Sequence, residues 1–223
     1  MDVQPASDLS LLQSFLKTRI EEQAIVDDLE RMVQERMSTA GGSRENVLTR
    51  EFLCPAIAEY FYEKAPALGL SRDQIRSGLG AEGHKHCEGF GFTPNGGRHL
   101  FHKNDVTKST PPEEWLLTGR ALTGKSPWPD FAVRKPLPLS LVGEVKLFSG
   151  SSAASAVKEL YDGARQAVFY LGAFRGEYSD ALLIIADATK DRVFTHGLAT
   201  LKPTLLERFG PSTGIHLTAL SLS

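Results

Sequence analysis

Two short motifs hold the residues of this 223-residue chain that are best suited to chemistry. Pro129-Asp130 is the only Pro-Asp pair, and Glu144-Val145-Lys146 is the only place where an acidic residue stands two positions before a lysine. Because residues i and i+2 of a strand point to the same face, Glu144 and Lys146 should project together, and a neighbouring strand can bring Asp130 beside them. Two carboxylates are costly to bury side by side unless a cation lies between them, and Mg²⁺ prefers such oxygen ligands. The motifs therefore predict metal-assisted hydrolysis of a phosphodiester.

Both motifs lie in segments that are typical of strands. The run from Asp130 to Val133 is short and apolar after its first residue, and the run from Leu139 to Phe148 is apolar with a late polar alternation. The prolines and basic residues between them predict a turn, so the two runs should form a hairpin. The alternative is that Asp130 caps a turn while Glu144 and Lys146 form an ordinary surface or cross-strand ion pair.

A helix is predicted directly after the second strand. The segment from Ala153 to Ala173 is amphipathic and follows a loop of small residues. It carries Gln166 and Tyr170, which lie four residues apart and therefore on one face of the helix. No other glutamine in the chain has a tyrosine at this spacing.

Taken together, Asp130, Glu144, Lys146, Gln166 and Tyr170 resemble the motifs of the PD-(D/E)xK nuclease superfamily. The resemblance is closest to its RecB-like branch, whose helix after the Glu-x-Lys strand bears Gln-x-x-x-Tyr. It implies an α/β fold that is restriction-endonuclease-like, with a central mixed β-sheet flanked by helices, here preceded by a long N-terminal helix. It also implies a Mg²⁺-dependent deoxyribonuclease, in which Mn²⁺ can substitute, acting in restriction, repair or defence.

The resemblance also implies a role for each residue of the motifs. Asp130 and Glu144 would ligate the metal ion together with the main-chain carbonyl of Val145. Lys146 would orient or deprotonate the attacking water and offset the charge that builds on the phosphate. Gln166 and Tyr170 would position the phosphate or the catalytic groups.

An acidic residue from an early helix completes many sites of this family. Glu51, Glu59 and Glu63 all lie on a helix predicted from Thr49 to Lys64. The sequence favours Glu51, because Glu59 and Glu63 can equally form the solvated face of that helix.

The charge of the chain limits how it can hold DNA. With a formal net charge of −2, the protein does not bind nucleic acid through a general excess of positive charge, so local clusters must supply the phosphate contacts. The candidates nearest the motifs are Arg134, Lys135, Lys158 and Arg165.

Composition favours a globular protein of a reducing compartment. Two cysteines are too few for a disulfide framework, and Cys54 stands in an apolar helical run where a buried thiol is typical. The N-terminus lacks the pattern of a signal peptide, and no stretch approaches the ~20 apolar residues of a membrane span. We therefore expect a cytoplasmic location.

The N-terminal 42 residues are predicted to form a helical extension of a nuclease-like domain that spans residues 43–223. One helix should run from Asp8 to about Met37, with a slip in its apolar phase around residues 21–23. Its apolar stripe should pack on its own domain, although a homodimer formed through this helix, or another protein partner, is the alternative. A polar linker, Ser38 to Arg44, follows.

The C-terminal part is predicted to complete the sheet. A buried strand from Ala181 to Ala186 should pair in a hairpin with a strand from Arg192 to Thr195, and a helix from Leu201 to Phe209 should precede a last strand from Ile215 to Leu220. The whole order is then helix, three antiparallel strands, helix and strand.

Two other functions compete with the nuclease. The chain could be a catalytically inactive module of nuclease fold that binds nucleic acid or supports an assembly. It could also bind zinc through the histidine-rich segment from His84 to His102, although the spacing matches no common zinc site.

Overall fold

A computed structural model describes residues 8–22, 25–36, 44–79, 129–133, 135, 137–173, 178–199, 210 and 212–223. Some of the sequence predictions lie outside this part of the chain: Arg134, the segment from His84 to His102, the helix from Leu201 to Phe209 and nearly all of the linker from Ser38 to Arg44.

The protein has a mixed α/β fold. Its described helices are α1 (Asp8–Glu21), α2 (Val26–Arg36), α3 (Arg44–Leu48), a π-helical segment (Thr49–Leu53), α4 (Cys54–Leu68), α5 (Arg72–Gly78), α6 (Ala153–Ala173) and α7 (Val193–Ala199). Its described strands are β1 (Phe131–Val133), β2 (Leu141–Phe148), β3 (Asp180–Asp187) and β4 (Ile215–Ser221). No helix in the described ranges has the length and apolar character needed to cross a membrane.

The four strands form one mixed sheet in the order β1-β2-β3-β4. The predicted hairpin is confirmed, because β1 pairs antiparallel with β2, with Phe131 opposite Gly143. A Cβ at position 143 would collide with the Phe131 ring, so glycine permits this close pairing. The strand order places Asp130, at the start of β1, next to the middle of β2.

The prediction of three antiparallel strands is wrong. β2 pairs parallel with β3, and β3 pairs parallel with β4. The reason is that α6 connects β2 to β3 as a crossover, which brings the chain back to the same end of the sheet. The predicted strand from Arg192 to Thr195 is also wrong, because residues 193–199 form the helix α7.

Side-chain hydrogen bonds explain why α7 is a helix. The hydroxyl of Thr189 accepts a hydrogen bond from the Val193 amide at 2.9 Å, and the buried carboxylate of Asp187 accepts one from the Thr195 amide at 2.9 Å. These bonds satisfy amides of the first helical turn, which have no partner within the helix.

The predicted long N-terminal helix is two helices, and the break lies at the predicted phase slip. The predicted second helix begins earlier than expected, at Arg44 rather than Thr49, and continues through the π-helical segment into α4. It ends at Leu68, where Gly69 follows with a φ of +64°, a conformation that glycine adopts without strain.

Hydrophobic cores cover both faces of the sheet. On one face, Leu12, Leu16 and Ile20 of α1 share a core with Val145 and Ile184 of the strands. On the other face, α6 and α7 pack on strand residues whose side chains alternate with those of the first core, among them Val142, Leu183 and Ile185. Glu144 and Lys146 share the phase of Val142 and therefore project toward α6.

Candidate active site

Asp130 is fixed at the start of β1 by two hydrogen bonds to β2. Its amide donates to the carbonyl of Gly143 at 2.9 Å, and its Oδ2 atom accepts a hydrogen bond from the Val145 amide at 2.8 Å. The carboxylate therefore continues the pairing of the hairpin beyond the end of β1 and lies beside the Glu-Val-Lys motif.

Glu144 and Lys146 lie together on the face of β2 that packs against α6. Their relative exposures are 3% and 4%, and the ammonium of Lys146 contacts the Glu144 Oε1 atom directly. A surface ion pair, the alternative to a functional site, does not describe this arrangement because both charges are buried. Burial on this scale is costly unless the charges have partners.

Gln166 and Tyr170 reach the same cluster from the inner face of α6. The Tyr170 hydroxyl donates a hydrogen bond to the Glu144 Oε2 atom at 2.8 Å, and the Gln166 Nε2 atom lies 3.5 Å from that hydroxyl. Both oxygens of Glu144 therefore have a partner, Lys146 on one side and Tyr170 on the other. The helix thus holds the carboxylate in one orientation.

A third acidic residue, Glu45 of α3, lies at this cluster and is not among the site residues predicted from the sequence. Its Oε1 atom is 3.7 Å from the Lys146 Nζ atom, and its charge also acts on Asp130 and Glu144. A helix start at Ser43 would have placed Glu45 in the first turn of a helix, but the sequence pattern does not link that turn to β2.

The three glutamates that the sequence offered for this role lie further along the same helical stretch. Glu51 is partly buried in the π-helical segment, and its role at the site stays a prediction. Glu59 pairs with Arg19 of α1 at 3.0 Å, and Glu63 is exposed. A site role is therefore not needed to account for Glu59 and Glu63.

Asp130 and Glu144 hold their protons more tightly than carboxyl groups usually do, because their pKa values are raised. Burial, and then the negative charge of Glu144, raise the pKa of Asp130 well above its ordinary value. Burial also raises the pKa of Glu144, and Lys146 offsets only part of this effect. The cluster therefore carries more negative charge than its surroundings stabilise.

Lys146 and Tyr170 respond to the same charges. Burial of the Lys146 ammonium lowers its pKa, but the negative charges of Glu144, Glu45 and Asp130 together more than offset this effect and leave the pKa raised. Burial, followed by the charges of Glu144 and Asp130, raises the pKa of Tyr170 well above its usual range. At neutral pH, Lys146 is therefore a charged donor and Tyr170 a neutral one.

The cluster contains carboxylate oxygens, which are of the ligand type that Mg²⁺ prefers. Glu45, Asp130 and Glu144 carry three negative charges when ionised and Lys146 carries one positive charge, so two negative charges are in excess. The Val145 amide points toward β1, because it donates a hydrogen bond to Asp130. The Val145 carbonyl points to the same side, since the N–H and C=O groups of one strand residue share a direction. In the described part of the chain, however, no group of three His, Cys, Asp or Glu side chains is already arranged to hold a metal ion.

The basic residues predicted to bind DNA are not part of the buried cluster. Lys135 is exposed in the turn between β1 and β2, and Lys158 is exposed on α6. Arg165 is also exposed on α6 and pairs with Asp162 at 3.0 Å. Contacts of these residues with DNA stay a prediction.

Comparisons of the chain with family models, with curated proteins and with solved structures found no match.

Proposed function

We propose that this protein is a metal-dependent nuclease of the PD-(D/E)xK type, with a restriction-endonuclease-like fold, that hydrolyses phosphodiester bonds of DNA and uses Mg²⁺ or Mn²⁺. The observation that carries the proposal is the meeting of Asp130, Glu144 and Lys146 with Gln166 and Tyr170 in one cluster. These residues lie at the start of β1, on β2 and on α6. Metal binding and phosphate hydrolysis would explain why charged and polar side chains from three elements are buried together.

Each side chain then has a distinct task. Asp130, Glu144 and the Val145 carbonyl would hold the ion, and Glu45 would add negative charge beside them. When bound, a divalent ion in such a site polarises the phosphate and lowers the pKa of a coordinated water. Since the raised pKa of Lys146 keeps its ammonium protonated, this residue orients the attacking water and stabilises negative charge on the phosphate by donating hydrogen bonds.

Gln166 and Tyr170 act on the metal-binding carboxylate. The hydroxyl of Tyr170 fixes the Oε2 atom of Glu144, and Gln166 fixes that hydroxyl in turn. Partners of this kind orient a ligand and commonly change metal affinity or activity by 10- to 100-fold. We assign Gln166 and Tyr170 as positioning residues.

A cleavage assay with matched variants tests the proposal. Wild type, Asp130→Asn and Glu45→Gln are incubated with plasmid, linear duplex DNA, single-stranded DNA and RNA, each with Mg²⁺, Mn²⁺ or EDTA. The exposed Glu63→Gln is the control, because it removes a helical carboxylate away from the cluster. We expect wild type and the control to cleave DNA with metal only, and Asp130→Asn to lose about 100-fold or more.

Two outcomes contradict the proposal. Equal cleavage by wild type and Asp130→Asn would assign the activity to a contaminant. Binding of DNA by all variants without any metal-dependent cleavage would instead support a catalytically inactive module of the same fold.

A further inference from the structure

In the described part of the chain, the outer edge of β4 pairs with no further strand. The Ala181 amide donates to the Gly214 carbonyl at 2.7 Å, and the Leu222 amide donates to the Asp187 carbonyl at 3.0 Å. With the parallel register between β3 and β4, these bonds place the main chain of His216, Thr218 and Leu220 toward β3. The main chain of Leu217 and Ala219 therefore faces away from the sheet.

Side chains of α1 cover the ends of this outward-facing row but not its middle. The Gln13 amide donates to the Leu217 carbonyl at 3.3 Å, and the Glu21 carboxylate accepts from the Ser221 amide at 3.2 Å. Apart from these two bonds, the amides of Leu217 and Ala219 and the carbonyl of Ala219 have no hydrogen-bond partner in the described ranges. Main-chain groups left in this state favour pairing with another extended chain.

A groove of about 440 Å³ opens onto these groups. α1 forms one wall, with Gln13 and Lys17, and α7 forms the other, with Thr195 and Leu198. The buried hydroxyl of Thr195 has no hydrogen-bond partner within the described residues. The groove therefore offers main-chain donors and an acceptor, a spare hydroxyl and the positive charge of Lys17.

We propose that this groove, the β4 groove, binds an extended peptide segment of a protein partner, which adds to the sheet as a strand beside β4 and carries an acidic side chain opposite Lys17. The alternating main-chain donors and acceptor fit another peptide main chain, and strand addition is a common mode of peptide recognition. A second copy of β4 is a poor fit, because α1 and α7 wall that strand on both sides. The proposal is independent of the nuclease activity, since the β4 groove lies at the opposite edge of the sheet from Asp130.

Selection from a displayed library of random ten-residue peptides, with the full-length protein as the target, tests the proposal. Selected peptides are synthesised, and their affinities are measured by fluorescence anisotropy for wild type, Lys17→Glu and Ala219→Pro. Lys158→Glu is the matched control, because it reverses an exposed lysine on α6. We expect peptides rich in Asp and Glu whose affinity falls about tenfold or more with Lys17→Glu and is unchanged in the control.

Amide hydrogen exchange supplies a second readout that does not depend on any variant folding. In the free protein, the amides of Leu217 and Ala219 should exchange fast and those of Thr218 and Leu220 slowly. Bound peptide should slow exchange at Leu217 and Ala219 and leave the other two unchanged.

Three results would overturn the β4 groove as a peptide site. The first is that the library yields no binding peptide. The second is that selected peptides bind Lys17→Glu and Ala219→Pro as tightly as they bind wild type. The third is that bound peptide slows amide exchange only in strands other than β4.

Discussion

At the scale of single residues, burial of the charges around Glu144 has a cost to folding that the proposed nuclease activity would explain. Asp130 and Glu144 have raised pKa values because both are withdrawn from water near other negative charges. A metal-free protein is therefore destabilised by the same charges that would bind a cation. Groups of this kind are typical of functional sites, where activity and stability oppose each other.

Asp130→Asn should stabilise the metal-free protein. Folding raises the pKa of Asp130 above its ordinary value of 3.8, so the folded state holds a proton that the unfolded state has released. The free energy of unfolding of wild type therefore falls as the pH rises through that interval. Asparagine does not titrate, so the variant does not lose stability over this pH interval. Its amide oxygen can still accept the hydrogen bond from the Val145 amide. Above the raised pKa its gain should be about 1.4 kcal/mol for each unit by which folding raises that pKa.

Urea denaturation of both proteins between pH 4 and pH 8, with EDTA present, measures this gain. The advantage of Asp130→Asn should shrink as the pH falls toward 3.8, because the folded wild type keeps the Asp130 proton and the unfolded wild type regains it over this range. Adding Mg²⁺ should stabilise wild type more than the variant, because only wild type keeps the full set of ligands. A variant that is less stable than wild type at pH 8 without metal would contradict this account of the cluster.

Tyr170→Phe should separate positioning from packing. The hydroxyl of Tyr170 lowers the pKa of Glu144 through its hydrogen bond, so its removal should raise that pKa further. We expect cleavage to fall by about 10- to 100-fold, and the acid limb of the pH–rate profile to move to higher pH. Tyr161→Phe is the control, since Tyr161 is 71% exposed on the same helix. A uniform loss at every pH would point to disturbed packing instead.

At the scale of elements, the approach of α6 to the sheet decides whether the cluster forms. Gly163 lies where α6 meets β2 and β3, and a Cβ at this position would stand 2.5 Å from Leu183 Cδ1 and 3.3 Å from Lys146 Cγ. The small residue therefore lets the helix pack directly over the aliphatic stem of the lysine. Gln166 and Tyr170 depend on the same approach.

Gly163→Ala should lower both stability and cleavage. The added methyl must displace Leu183 or lift the helix, which typically costs about 1–3 kcal/mol. Gly172→Ala on the same helix meets open space and should instead stabilise by up to about 1 kcal/mol, because alanine is the better helix former. Thermal denaturation and cleavage assays of the two variants measure the difference. Equal effects would show that Gly163 is not a point of close contact.

The sequence predicted the elements whose signals are local. The β1–β2 hairpin, the bounds of α6 and the strand positions of β3 and β4 all follow from short apolar runs with clear ends. Strand direction did not follow, because the apolar pattern of a buried strand is the same in parallel and antiparallel pairing. Residues 193–195 were misread as a strand, since Val193, Phe194 and Thr195 favour strands and the helix depends on bonds from Thr189 and Asp187.

The motif residues of the candidate site could be predicted, but the partner that reaches them from afar could not. Asp130, Glu144 and Lys146 stand close in sequence, and the spacing of Gln166 and Tyr170 marks one helical face. Glu45 joins them only because α3 packs beside β2, about 100 residues away in sequence. Single-sequence patterns carry no signal for such a long-range contact.

At the scale of the whole molecule, the N-terminal helices belong to the same packed body as the sheet. Leu12, Leu16 and Ile20 of α1 are fully buried and share one core with Val145, which lies between the two charged residues of the motif. α1 also bonds to β4 through Gln13 and to α4 through the Arg19–Glu59 pair. The boundary after residue 42 stays a prediction, and a truncation within this shared core can test it.

Leu16→Ala should destabilise the whole protein rather than release one helix. Truncating a fully buried leucine typically costs about 2–5 kcal/mol, and the matched Leu11→Ala, which changes a 40% exposed side chain on the same helix, should cost about 0.5 kcal/mol or less. Urea denaturation followed by circular dichroism and by loss of metal-dependent cleavage should give one coincident transition for each protein, with its midpoint lowered only in Leu16→Ala. Two separate transitions in Leu16→Ala, with cleavage retained after the first, would show that residues 1–42 are an extension that residues 43–223 can lose without unfolding. A single transition means that α1 stabilises the sheet on which Asp130 and Glu144 meet. A mutation in α1 then lowers activity because it reduces the fraction of folded protein, although it changes no residue of the site.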